Sequence, residues 1–124
     1  MIEIENSKIK DVKIITPKIF YDDRGNFFES YNFKSFNFHN PNFPFIQDNQ
    51  SESSFGVLRG IHFQKEPYAQ TKLVRVIYGE IQDVAVDLRP DSETYLKYVS
   101  VILNDKNKKQ LYVPKGFGHA FLVL

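Results

Sequence analysis

The stretch Lys72-Leu73-Val74-Arg75-Val76-Ile77-Tyr78-Gly79-Glu80-Ile81-Gln82-Asp83-Val84-Ala85-Val86-Asp87-Leu88 reads as two extended runs separated by a Gly-Glu turn. Side chains of a strand alternate between its faces, so Lys72, Val74, Val76 and Tyr78 share one side of the first run. Ile81, Asp83, Ala85 and Asp87 form the equivalent set on the second. If both sets point inward, Lys72 and Asp83 are buried charges that need partners, because an unpaired buried charge is very costly. A structural ion pair between them is the plainest reading.

On either side of this stretch the same period of two recurs, rich in β-branched residues and punctuated by short turns. Strands are expected at 12–16, 26–31, 45–51, 57–63, 71–78, 81–88, 96–103, 110–113 and 119–124. The turns between them include Asp22-Asp23-Arg24-Gly25, Arg89-Pro90-Asp91-Ser92, Asn104-Asp105-Lys106-Asn107 and Pro114-Lys115-Gly116. Only 33–38 has a locally helical look. Many short strands with regular turns predict an all-β sandwich, barrel or jelly roll, and with neither an internal repeat nor a linker, residues 1–124 form one domain.

Bulk composition narrows the function. Sixteen basic residues against fifteen acidic ones leave a formal charge of +1, too balanced for a nucleic-acid binder that works by bulk electrostatics. The absence of cysteine excludes disulfides, thiolate zinc sites and cysteine nucleophiles together. No stretch approaches the ~18 apolar residues of a membrane span, and the N-terminus has no signal-like pattern, so a soluble cytoplasmic protein is expected. Eight of the twelve phenylalanines lie within 20–45. Packing between sheets or subunits accounts for them most simply, although one, Phe27, is suited to stack on a nucleobase.

Chemistry concentrates around Leu58-Arg59-Gly60-Ile61-His62. Imidazole titrates near neutrality, which makes His62 the expected base. Strict alternation would put Arg59 and His62 on opposite faces, so a shared site requires an irregularity, and Gly60 is where a bulge would form. Lys72 would supply positive charge where an enolate oxygen develops, with Asp83 as its charge partner. Pro114-Lys115-Gly116-Phe117-Gly118-His119 delivers a second histidine to the start of a strand, in a pattern like the second half of a cupin motif. Gln64 stands where a metal-binding cupin would carry a better ligand, and two histidines without nearby carboxylates make a weak metal site, so no metal is expected. Arg24 and Arg59 could clamp a diphosphate, while Gln47 and Asn49 share parity and could orient sugar or base edges.

Taken together, Asp23-Arg24-Gly25-x-Phe27-x-Glu29, Gln47-Asp48-Asn49-x-Ser51, Val57-Leu58-Arg59-Gly60-Ile61-His62-Phe63-Gln64, Lys72-Leu73-Val74-Arg75-Val76, Asp83-Val84-Ala85-Val86-Asp87-Leu88-Arg89 and Pro114-x-Gly116-Phe117-x-His119-x-Phe121 closely resemble the dTDP-4-dehydrorhamnose 3,5-epimerases. The resemblance implies a metal-free and cofactor-free cupin jelly roll, or double-stranded β-helix. It implies a homodimeric isomerase of carbohydrate biosynthesis that acts on dTDP-4-dehydro-6-deoxy-D-glucose at C3 and C5, on the way to dTDP-L-rhamnose. By the same resemblance His62 is the base, Lys72 stabilises the enolate, and His119 lies close to the substrate. Arg24, Glu29, Gln47, Asp48, Asn49 and Arg59 match positions that hold the nucleotide diphosphate, with Arg24 and Glu29 reaching into the partner's site from the 20–45 region. Family members continue past the strand matching 119–124, into a segment with a proton-donating tyrosine and an aspartate that pairs with the histidine. The C-terminal part of the family fold is therefore expected to be missing, and the chain to be a fragment. A related nucleotide-sugar epimerase or isomerase, or a non-catalytic sugar-nucleotide-binding module, are the alternatives.

Overall fold

The computed structural model describes residues 2–36 and 44–124. Ten strands make up its regular structure: β1 (Ile2–Asn6), β2 (Lys13–Pro17), β3 (Phe20–Asp22), β4 (Gly25–Phe27), β5 (Leu58–His62), β6 (Lys72–Arg75), β7 (Glu80–Asp87), β8 (Tyr98–Asn104), β9 (Gln110–Val113) and β10 (Phe117–Val123). They form two four-stranded sheets, ordered β1-β2-β9-β6 and β5-β10-β7-β8, and a separate β3-β4 ribbon. All pairings are antiparallel. This is the all-β, cupin-type jelly roll that the strand pattern and the resemblance imply.

The two sheets meet through Leu111 and Val113 on one side and Ala85, Val99, Leu103 and Phe117 on the other, with Ile9 and Val12 closing one end. Such burial is the main favourable term in holding two sheets together. The Gly79 turn does not close a hairpin. β6 pairs with β9, whereas β7 pairs with β8 and β10, so the turn carries the chain from one sheet to the other. Asp105 fixes this crossing by accepting the Gly79 amide at 2.8 Å, while its own amide donates to the Gly79 carbonyl at 3.1 Å.

Several expectations are corrected. Residues 45–51 form no strand and pair with none of the described strands. The strand expected at 26–31 ends at Phe27, and the one at 71–78 ends at Arg75, where the chain leaves its sheet. β1 and β3 were not anticipated: β1 carries an alternating Ile-Glu pattern, and β3 is only three residues long. Phe33–Ser35 is a turn rather than a helix, and positions 37 and 38 of that expected helix lie outside the described residues. The phenylalanine-rich region does not fill the space between the sheets. Phe36 is fully buried against Ile15 and Tyr112 on the outer face of the first sheet, with Phe45 packed beside them. Gln110 ties this covering segment down by donating to the Ser30 carbonyl at 2.7 Å.

Candidate active site

The site is built on the irregularity at Gly60. In the pairing of β10 with β5, Phe121 stands opposite Arg59 and His119 opposite His62, so Ala120 alone faces both Gly60 and Ile61. Two residues against one is a β-bulge, and the extra residue resets the alternation. Arg59 and His62 thereby come to the same face as His119 and Phe121. Glycine is required at the bulge: its φ is +117°, and a Cβ there would lie 2.6 Å from both the Ala120 Cβ and the His119 carbonyl oxygen.

The same face continues onto β7, where Phe121 pairs with Asp83 and His119 with Ala85. Asp83 is fully buried, and its Oδ1 lies 2.6 Å from His119 Nε2. Its Oδ2 is buried without a hydrogen-bond partner among the described residues. Burial pushes the Asp83 carboxyl up, against the opposing pull of the His119 hydrogen bond and of the His119 and Lys72 charges. From the facing sheet, Lys72 pairs with Val113 and shares the inward face with Val74 and Leu111. Burial pushes the Lys72 ammonium below its usual range, and the Asp83 charge partly restores it.

The structure thus brings Arg59, His62, His119 and Asp83 onto one wall and Lys72 onto the opposite one. Asp83 takes His119 as its direct partner, so the expected ion pair with Lys72 is replaced by an interaction through space. The expectation that the histidines lack a nearby carboxylate is likewise overturned, although no group of three metal-binding side chains converges among the described residues. Parity alone places Asp83 inward. Its contact with His119 depends on β10 lying beside β7, a long-range pairing that no local pattern discloses.

The remaining site residues lie elsewhere. Arg24 sits on the tip of the β3-β4 ribbon, where its guanidinium holds Asp22 at 2.6 Å. That bond and the Arg24 amide keep the Asp22 carboxyl below its usual range. Phe27 ends the ribbon with 73% of its surface exposed. Glu29 follows it and accepts from the Asn32 amide at 3.1 Å. Gln47, Asp48 and Asn49 lie on an exposed irregular segment, with the Gln47 amide 3.3 Å from Asn49 Oδ1. Arg59 donates to Ser53 Oγ at 2.9 Å, which links this segment to β5. Ser53 carries no motif and was not anticipated.

Residues 6–124 match the family model described as dTDP-4-dehydrorhamnose 3,5-epimerase. The dTDP-4-dehydrorhamnose 3,5-epimerase of Escherichia coli (strain K12) is 53% identical over 120 residues, which cover 95% of this chain and 64% of that protein. The chain therefore spans just under two thirds of that relative's length. A Legionella pneumophila dTDP-6-deoxy-D-glucose-3,5-epimerase, solved in complex with dTDP-4-keto-L-rhamnose, superposes with a TM-score of 0.92 at 47% identity, covering all of this chain and 66% of that one. A 3'-monoepimerase from Streptomyces bikiniensis, solved with dTDP-quinovose, gives 0.87 at 31% identity, covering 97% and 61%.

Proposed function

The chain belongs to the dTDP-4-dehydrorhamnose 3,5-epimerase family, and from that premise we propose that it works as a sugar-nucleotide epimerase on dTDP-4-dehydro-6-deoxy-D-glucose. The observation that carries this reading is the convergence of His62, His119 and Asp83 from β5, β10 and β7 opposite Lys72 from β6. A C4 carbonyl acidifies the protons at C3 and C5. His62, on the exposed edge strand β5, acts as the base that removes them, and Lys72 offers an ammonium to the enolate oxygen as its charge develops. His119 lies beside them to orient the sugar.

Arg59 is suited to the diphosphate, as guanidinium matches phosphate oxygens in a bidentate way. Gln47, Asp48 and Asn49 are linked to it through the segment that holds Ser53. Arg24, Phe27 and Glu29 lie on or beside a ribbon that, among the described residues, pairs only with itself, a placement that suits residues reaching toward a second subunit. A cytoplasmic homodimer is part of the proposal. Leu58, Ile61, Tyr98 and Ile102 leave an exposed apolar surface on the β5-β8 sheet, an unusual load for an isolated protomer.

The direct test is incubation with dTDP-4-dehydro-6-deoxy-D-glucose in deuterated water. Deuterium at C3 and C5, lost in His62→Asn, is the expected result, and its absence at both carbons in folded protein overturns the reading. The similarity to a 3'-monoepimerase favours one second reading, inversion at C3 alone. Product stereochemistry by NMR separates the two.

A further inference from the structure

β7 carries two fully buried carboxylates on the same inward face, Asp83 and Asp87, and they are treated in opposite ways. Asp87 is saturated. Arg89 donates to it from its backbone amide, Nε and a terminal nitrogen, and Ser92 and Thr94 add their hydroxyls. Asp83, with Val101 and Phe121 as its cross-strand neighbours, has one short bond to His119 and an orphaned second oxygen. Buried polar groups that only serve packing are normally satisfied, and an apolar residue would fit between such neighbours at no electrostatic cost. The half-used carboxylate therefore has a role outside the core.

Resting on the epimerase reading, we infer that Asp83 is the positioning residue of the site: it fixes the His119 ring through Nε2 and is the counter-charge for Lys72 across the gap between the sheets. An ionised Asp83 requires the proton on His119 Nε2, which leaves Nδ1 as the nitrogen available to the substrate. The same anion supports Lys72 in the ammonium form that an enolate needs. One buried charge thus sets the orientation of one substrate-facing group and the protonation of another. Among the described residues, the charged or titratable groups on the facing surfaces are Arg59, His62, Asp83, Asp87 and His119 from one sheet and, from the other, Lys72 with Glu3 and Glu5 on the exposed outermost strand β1.

Imidazole nitrogen NMR on the isotopically labelled chain tests this without turnover. The unaltered protein is expected to show His119 protonated at Nε2, with that proton shielded from solvent exchange. A bare Nε2 with the proton on Nδ1 overturns the proposal. In Asp83→Asn the shielded proton is expected to disappear, and the Lys72 titration, followed at its ε-carbon, to move to lower pH. Unchanged His119 and Lys72 signals in a folded variant overturn it. Kinetically, kcat is expected to fall about 100-fold while KM stays within about 3-fold, with partial recovery in Asp83→Glu. Absence of proton exchange in the unaltered protein defeats the epimerase reading, while the NMR measurements still decide the role of Asp83.

Discussion

His62 and His119 stand directly opposite each other across the β5-β10 pairing, although simple alternation from Arg59 would turn His62 to the far side of the sheet. The bulge at Gly60 creates this pairing, and it makes the glycine as consequential as either histidine.

Substitution at Gly60 is accordingly expected to be severe. A Cβ would meet the backbone of β10 at 2.6 Å in a positive-φ conformation. Gly60→Ala should cost at least about 3 kcal/mol in urea unfolding or fail to fold. Gly79→Ala, also at positive φ but with nothing within 4 Å of the new carbon, should cost only about 1 kcal/mol. Equal losses would contradict the close-approach argument.

Asp87 provides an acid-sensitive contribution to stability. Burial works against its ionisation, but the bonds from Arg89, Ser92 and Thr94 outweigh it and hold the carboxyl far below the ordinary value of 3.8. A depressed folded-state pKa contributes stability that is fully present above the unfolded value and is lost as pH falls toward the folded one. Asp87→Ala should therefore be less stable by about 3 kcal/mol at neutral pH. The gap to the unaltered protein should narrow below about pH 4. Thermal unfolding across that range is the check.

Lys72 is expected to limit activity on the alkaline side. Burial lowers its ammonium below the ordinary 10.5, with Asp83 opposing, so the proton-exchange rate should decline before that pH is reached. Lys72→Met should reduce exchange by about 100-fold to 1,000-fold. A flat alkaline profile would remove the proposed electrostatic role.

Two phenylalanines from one composition-rich region should behave in contrary ways. Phe36, fully buried beside Ile15 and Tyr112, should cost about 3 kcal/mol or more on substitution by alanine. Phe27, largely exposed, should change stability within about 0.5 kcal/mol. If Phe27 stacks on the nucleobase, its loss appears instead as a raised KM.

The contrast among these residues shows what could be read from sequence. Alternation placed Lys72 and Asp83 on inward faces, and a glycine between two functional side chains marked the bulge, because both signals are local. The Asp83-His119 bond was hidden, since it depends on which strands become neighbours. The same limit explains the failed strand at 45–51, whose alternation was real but which pairs with none of the described strands. The role of Phe36 depended on the outer face of a sheet being covered by a loop, a relation that no periodicity encodes.

The bulge also bears on how such a site can be lost. Deleting one residue between Arg59 and His62 would keep the arginine and both histidines in the chain and leave a flat, well-paired strand. Arg59 and His62 would then project from opposite sides. A comparison by residue identity would score that chain as intact, so the spacing between these two positions is itself a determinant of function.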